Sequence, residues 1–291
     1  MATPSQVRVG KATVTVINLG DLEFKLRDIL DPRSIPGSVP PELLDIPLSF
    51  PSQAVHIRSG DTSIVVDPGD FAYFAQSSPM YVRKDYVPEP TLVEQLRLAG
   101  VARQEVTHVL ITHFHHDHLV GVTLPPREKG SITFPKARHY LGKADWDYSE
   151  VQEPLLDPLS IESLTIGAVS KLGLLELVQS ELEITPGVTL IPAPGESPGH
   201  QIVKIQSEGE SLYCVGDLYH HAIEVENPMC MSSWCDPVPH METKSRFVQM
   251  ALKENALMLA AHMPIGRVNG EPSRPKFLPQ PELLKGLAGI R

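Results

Sequence analysis

The sequence predicts an α/β domain of layered sheets and helices, and three observations carry that reading. Strand-like runs are followed by a helical stretch, and that order occurs twice along the chain. The runs are short, apolar and bounded by polar or turn-forming residues. Ligand-type side chains stand where several of them end, most densely at His113, His115, Asp117 and His118.

Val14 to Leu19 alternates weakly and reads as a first strand. Residues 31–51 hold Pro32, Pro36, Pro40, Pro41, Pro47 and Pro51, which excludes a regular helix or a central strand there. The apolar residues between them, such as Val39, Leu44 and Phe50, predict a packed covering loop. Ala54 to Arg58 and Ile64 to Val66 form a hairpin around Ser59-Gly60-Asp61, closed by the turn Asp67-Pro-Gly69. Residues 71–90 mix aromatics with prolines and predict a second covering loop. Thr91-Leu-Val-Glu94 is a capping-box start and Gly100 a stop, so Leu92 to Ala99 is a short helix. Val109-Leu110-Ile111 is a buried strand leading into the histidine cluster.

Farther on, Arg138 to Leu141 is a strand and Lys143 to Glu150 a helix start. Spacings of three and four predict an amphipathic helix over 160–179, or a pair broken at Gly167 and Gly173. Val188 to Ile191, Gln201 to Gln206 and Ser211 to Val215 are strands. Met241 to Ala256 is a helix, and Leu257 to Ala261 a last strand.

A chain of 291 residues can fold as one large or two small domains. The expectation is a single domain over 1–291, with halves of about 1–125 and 126–291. A net charge of -10 argues against a general nucleic-acid or anionic-membrane binder. Met1 to Gly10 lacks a basic start followed by an apolar core, and no apolar run reaches membrane-spanning length, so a cytoplasmic protein is expected. Cys214, Cys230 and Cys235 are too few for a disulfide framework.

Four ligand-type side chains in six positions, directly after an apolar strand, suit zinc and similar divalent ions. A lone histidine there would read as an ordinary polar loop. Three more candidates flank strands: His200 closes Pro194-Gly-Glu-Ser-Pro-Gly-His200, Asp217 closes Tyr213-Cys-Val-Gly-Asp217, and His262 closes Leu259-Ala-Ala-His262. Each alone reads as a hydrogen-bonded structural residue; together they do not.

Asp67-Pro-Gly, the His113 cluster, His200, Asp217 and His262 in combination resemble the metallo-β-lactamase superfamily of metal-dependent hydrolases. The resemblance spans nearly the whole chain. It implies an αββα sandwich of two mixed β-sheets flanked by helices, with metals at one edge of both sheets. It places one ion on His113, His115 and His200 and another on Asp117, His118 and His262, bridged by Asp217, with Asp67 positioning ligands from behind. Zinc is the default, and Mn, Fe or Co fit the same donors. Two ions about 3.5–4 Å apart lower the pKa of a shared hydroxide to near neutrality. Asp117 beside it can carry a proton to the leaving group.

Within that superfamily the chain resembles the branch of N-acyl-homoserine-lactone lactonases and methyl-parathion-type hydrolases. Only 29 residues follow His262, too few for a helical C-terminal or flavin domain. The lactonases place a tyrosine three residues after the bridging aspartate. Tyr219, two residues after Asp217, is the expected counterpart, although His220 holds the third position, and which of the two faces substrate stays open. Phe24, Phe71, Phe74, Phe114, Trp146, Met229 and Trp234 are candidate pocket walls, and His116 is a spectator. The expected activity is lactone or carboxylic-ester hydrolysis on a small molecule. The alternatives are phosphotriester or aryl-ester hydrolysis, a mononuclear iron persulfide dioxygenase, and a non-catalytic binding member. A homodimer is the prior for any oligomer.

Overall fold

A computed structural model describes residues 4–82 and 89–286. The N-terminal strands are β1 (Ser5–Val9), β2 (Ala12–Phe24), β3 (Leu48–Ser59), β4 (Thr62–Val66), β5 (His108–Leu110), β6 (Arg138–Gly142) and β7 (Leu175–Val178). They are followed by β8 (Leu182–Thr185), β9 (Val188–Pro192), β10 (Gln201–Ser207), β11 (Glu210–Gly216), β12 (Leu257–Ala260), β13 (Gly266–Glu271), β14 (Arg274–Pro279) and β15 (Lys285–Gly286). One sheet runs β15-β1-β2-β3-β4-β5-β6-β7 and the other β14-β13-β12-β11-β10-β9-β8. Both are mixed. β4, β5, β6 and β7 pair in parallel in the first sheet, as do β11 and β12 in the second, while the other described pairings are antiparallel.

Three apolar layers hold the sheets. Ile64, Val66 and Leu110 from the first sheet meet Val203, Cys214 and Leu259 from the second, forming the inter-sheet core. The alternate residues Val65, Val109 and Ile111 face outward and pack with Leu96, Leu119 and Val120 beneath the N-terminal helices. On the far side, Tyr213, Val215 and Met258 pack against Phe247, Val248 and Ala251 of the helix Pro237–Glu254. The result is the expected αββα sandwich. Strands covered on both faces explain why Ile64-Val-Val66 and Val109-Leu-Ile111 read as continuous apolar runs instead of alternating ones. Each fully buried aliphatic in these runs stabilises by about 1.5–3 kcal/mol. No helix among the described residues is long and apolar enough to cross a membrane.

Several elements differ from the sequence reading. The covering segment 31–51 ends early, because Leu48 onward is already β3, paired with β2 as Leu22↔Phe50 and Asp21↔Pro51. Pro51 is tolerated because β4 pairs only with Val55 to Ser59, leaving the start of β3 a free edge on that side. The aromatic segment after Gly69 is a helix, Phe71–Ser77, whose N-cap Asp70 accepts from the Tyr73 amide at 3.2 Å. Tyr86, also assigned to that covering segment, lies outside the described residues. The stretch 160–179 is two short helices, Ile161–Leu164 and Ile166–Lys171, and then β7. Gly173, at φ 66, ends the helical path in the left-handed region, and Leu175 to Val178 then pair with β6. β1, β8, β13, β14 and β15 were not expected from the sequence.

Candidate metal centre

Parallel pairing brings the site together. β4 and β5 point the same way in one sheet, β11 and β12 in the other, so their C-terminal ends reach the same edge of the sandwich. Asp67 follows β4, the stretch His113 to His118 follows β5, Asp217 follows β11 and His262 follows β12. His200 enters from the loop before β10. A β-bulge between Cys214 and Gly216 turns the end of β11. Gly216 sits at φ 53, and a Cβ there would lie 2.6 Å from Thr112 Oγ1 and 2.8 Å from His200 Nε2. Only glycine fits between those two side chains.

Hydrogen bonds on the far side of each ring decide which nitrogen faces the centre. The Nδ1 atoms of His118, His200 and His262 lie 3.0, 3.0 and 2.8 Å from Asp67 Oδ2, Ala193 O and Pro51 O. Those oxygens only accept, so each Nδ1 carries the proton, and in the neutral ring Nε2 keeps a lone pair. His113 is set through a relay. The Thr112 hydroxyl donates to Asp67 Oδ2 at 2.8 Å and thus accepts from His113 Nδ1 at 3.1 Å. Asp67 also accepts the Thr112 amide at 2.7 Å. One carboxylate therefore orients two histidines, in the way metal-ligating rings are ordinarily braced.

The free atoms converge on Asp217. Its Oδ1 is 3.3 Å from His118 Nε2, and its Oδ2 is 3.4 Å from His262 Nε2 and 3.8 Å from His113 Nε2. Asp117 Oδ2 lies 3.3 Å from His262 Nε2 and 3.5 Å from His118 Nε2, while His113 Nε2 and His115 Nδ1 are 2.8 Å apart. His118 Nε2, His200 Nε2 and Asp217 Oδ1 are buried without a hydrogen-bond partner. Buried orphan atoms are costly unless something satisfies them, and divalent cations fit this donor set. Donor atoms within 4.8 Å of one another form two groups: Asp117, His118 and His262, and His113, His115, Asp217 and Glu196. Glu196 was not foreseen from the sequence, where it is one residue of a glycine- and proline-rich loop. His200 stands just outside the second group, its ring centroid 5.3 Å from that of His113.

The electrostatics split the histidines. Burial, together with the neighbouring imidazoles, holds His113 well below its ordinary pKa, and burial brings His115 and His200 down to about 4. Burial also opposes charge on His118 and His262. There the carboxylates prevail: Asp217, Asp117 and Asp67 raise His118 well above its usual value, and Asp217 and Asp117 raise His262 to about 9. Asp217 and Asp117 are buried too, yet the histidines around them depress both.

A further carboxylate locks the loops. Asp145, fully buried, accepts from the Phe114 amide at 3.1 Å, the Ser197 hydroxyl at 2.8 Å and the Gly199 amide at 2.6 Å. It ties the His113–His115 segment to the loop carrying His200, and burial pushes its pKa up to about 6.

The centre floors a cavity of about 450 Å³, lined by Leu22, Phe24, Phe50, Phe74, Phe114 and Trp234 beside His115, Asp117, Asp217, His220 and His262. Phe24, Phe74, Phe114 and Trp234 are walls, as the aromatic pattern suggested, whereas Phe71 and Trp146 pack in the first core layer and Met229 is exposed. His116, read as a spectator, lines the cavity as well and pairs with Glu162 at 2.8 Å. The expectation for Tyr219 is corrected. Its ring is buried in the helix-side core, 5.9 Å from Phe247, and it is absent from the cavity lining. His220 faces the cavity instead, stacked on His262 at 5.8 Å, with Nε2 3.3 Å from Asp217 and Nδ1 3.0 Å from Ser232 Oγ. The chain turns after Gly216, so His220 points inward to the cavity while Tyr219 points away into the core.

Fold and site define the class: a four-layer αββα protein with a histidine–aspartate centre at one edge of two mixed sheets. The model of the metallo-beta-lactamase superfamily matches residues 49–262, and the chain belongs to that superfamily. An N-acyl homoserine lactonase from Bacillus sp is 22% identical over 247 residues, 81% of this chain and 89% of the relative. Among solved structures, the hydrolase AbOPH superposes with a TM-score of 0.75 at 19% identity, covering 96% of this chain and 98% of its own. AidC, a dizinc quorum-quenching lactonase, gives a TM-score of 0.72 at 17% identity, covering 96% and 97%.

Proposed function

We propose that this protein is a binuclear metal-dependent hydrolase that opens a lactone or cleaves a carboxylic ester. The observation that carries the reading is the convergence of lone-pair nitrogens and carboxylates around Asp217, on the floor of an apolar cavity. His113, His115 and His200 would hold one ion and Asp117, His118 and His262 the other, with Asp217 shared by both groups. When bound, such ions supply a water of lowered pKa and a Lewis-acid contact for the substrate oxygen.

The chain's own residues do the rest. A cavity of about 450 Å³ is within the range of small-molecule sites, and its phenylalanines and Trp234 exclude water and hold an apolar acyl group. Asp67 and Asp145 keep the histidines and their loops in place. Asp117, at the cavity surface, takes the proton released as water adds to the carbonyl carbon. It delivers that proton to the leaving oxygen as the C–O bond breaks, giving an acid and an alcohol. His220 Nε2, facing the same space, stands where the lactonases carry tyrosine and can donate to the substrate oxygen.

The test is metal content by elemental analysis together with a panel of lactones, carboxylic esters and phosphotriesters, with His118→Ala as control. About two ions per chain and lactone or ester turnover abolished in the variant are expected. Turnover confined to phosphotriesters would move the assignment to that bond. One iron with oxygen consumption and no hydrolysis would replace it with the dioxygenase reading.

A further inference from the structure

Glu196 is the buried carboxylate that the seven expected ligands leave unexplained. It sits in the loop between β9 and β10, and its side chain is fully buried. Two donors clamp it: the Trp234 indole N–H on Oε1 and the Cys235 thiol on Oε2, the latter at 2.9 Å. The clamp leaves Oε1 3.6 Å from His115 Nδ1 and 4.0 Å from His220 Nε2. Its oxygen belongs to the group formed with His113, His115 and Asp217, all within 4.8 Å of one another. The buried, partnerless Asp217 Oδ1 and His200 Nε2 belong to the same centre.

A carboxylate this deep is stabilised by a cation placed beside it. An ion held by His113, His115 and Asp217 lies within reach of the same carboxylate.

We propose that Glu196 is an additional ligand of the ion held by His113, His115 and His200. The inference rests on the binuclear reading above and goes beyond its seven ligands. With Asp217 it places two carboxylates on that ion, and carboxylate-rich sets suit manganese better than imidazole or thiolate sets do. Glu196 thereby biases the centre toward manganese relative to zinc.

The test compares the wild-type protein with Glu196→Gln, His113→Ala and His118→Ala, measuring Mn2+ and Zn2+ dissociation constants by chelator competition. Glu196→Gln is expected to weaken Mn2+ binding by at least about tenfold and Zn2+ by less, in the range seen for groups that support a metal site. Unchanged constants in Glu196→Gln, alongside lost binding in the two histidine variants, would overturn the Glu196 assignment alone. Unchanged binding in the histidine variants would instead overturn the binuclear reading itself. A crystal structure of the zinc-loaded wild-type protein decides the matter without any substitution. A Glu196 oxygen at about 2.0–2.2 Å from the ion supports the proposal. One still held on Trp234 and clear of the ion refutes it.

Discussion

Asp67→Asn tests whether tautomer control builds this centre. Asparagine tolerates the left-handed backbone at residue 67, where φ is 50, so the substitution alters chemistry without adding backbone strain. One side-chain oxygen must still accept the Thr112 amide, now at 2.7 Å from Oδ1. The new NH2 then faces Thr112 Oγ1 and His118 Nδ1, which lie 2.8 and 3.0 Å from Oδ2. It can only donate to them. His118 must accept on Nδ1 and move its proton to Nε2, toward the metal. The Thr112 hydroxyl must swing to His113 Nδ1 and force the same shift there. Each ion thus loses a donor. Loss of such a supporting group costs 10–100-fold in affinity, or about 1.4–2.8 kcal/mol per ion. Chelator competition on both sites measures it, and Thr112→Val, which breaks only the relay to His113, should weaken one ion and spare the other. Binding of both ions by Asp67→Asn within about threefold of wild type would refute the reasoning.

Four further outcomes are expected. In the metal-free protein at pH 7, His118 and His262 carry a second ring proton and His113, His115 and His200 do not, so filling the Asp117–His118–His262 site should release about two protons, read by calorimetry in buffers of different ionisation enthalpy. The same protonation sets the pH dependence of stability. A folded-state pKa raised to about 9 at His262 contributes fully below the unfolded value of 6.5 and is lost as pH rises through 9, so the metal-free protein should unfold at lower denaturant at pH 10 than at pH 6. Gly142→Ala places a Cβ 2.0 Å from the Gly199 carbonyl oxygen, and should cost about 1–3 kcal/mol in denaturant unfolding while loosening the loop that holds His200. Phe24→Ala removes a cavity wall that packs 5.8 Å from Phe50, and should raise KM for apolar-chain substrates roughly five- to thirty-fold, the equivalent of about 1–2 kcal/mol, with little change in kcat.

The site was more legible in the sequence than the fold's margins. Histidine and aspartate after an apolar run announce themselves because few structural roles need them so densely, and the structure brings His113, His115, Asp117, His118, Asp217 and His262 to one edge. Short polar strands carry no such signal. β8 reads Leu-Glu-Ile-Thr and β13 Gly-Arg-Val-Asn-Gly-Glu, and both owe their form to neighbouring strands more than to their own pattern. Glu196 and Asp145 were invisible for a different reason. A lone carboxylate in a loop is ordinary, and only the tertiary approach of Trp234, Cys235, Phe114 and Gly199 reveals what each one holds. Tyr219 failed by one residue of chain direction, because spacing after Asp217 says nothing about the turn at Gly216.

Asp67 and Asp145 do parallel work on the two sides of the centre. Asp67 binds the end of β4 to Thr112 and His118, and Asp145 binds the His113–His115 segment to Ser197 and Gly199. Neither carboxylate points at the ligand cluster itself, and each accepts three hydrogen bonds from the segments that do. Because these bonds join segments already fixed by three apolar layers, ring orientation is settled by the fold before any ion arrives. The ordering cost of binding is then largely met in folding, which is the condition for tight capture by side chains drawn from both sheets. In the metal-free protein, protons on His118 and His262 fill the role of the cations, balancing Asp117 and Asp217.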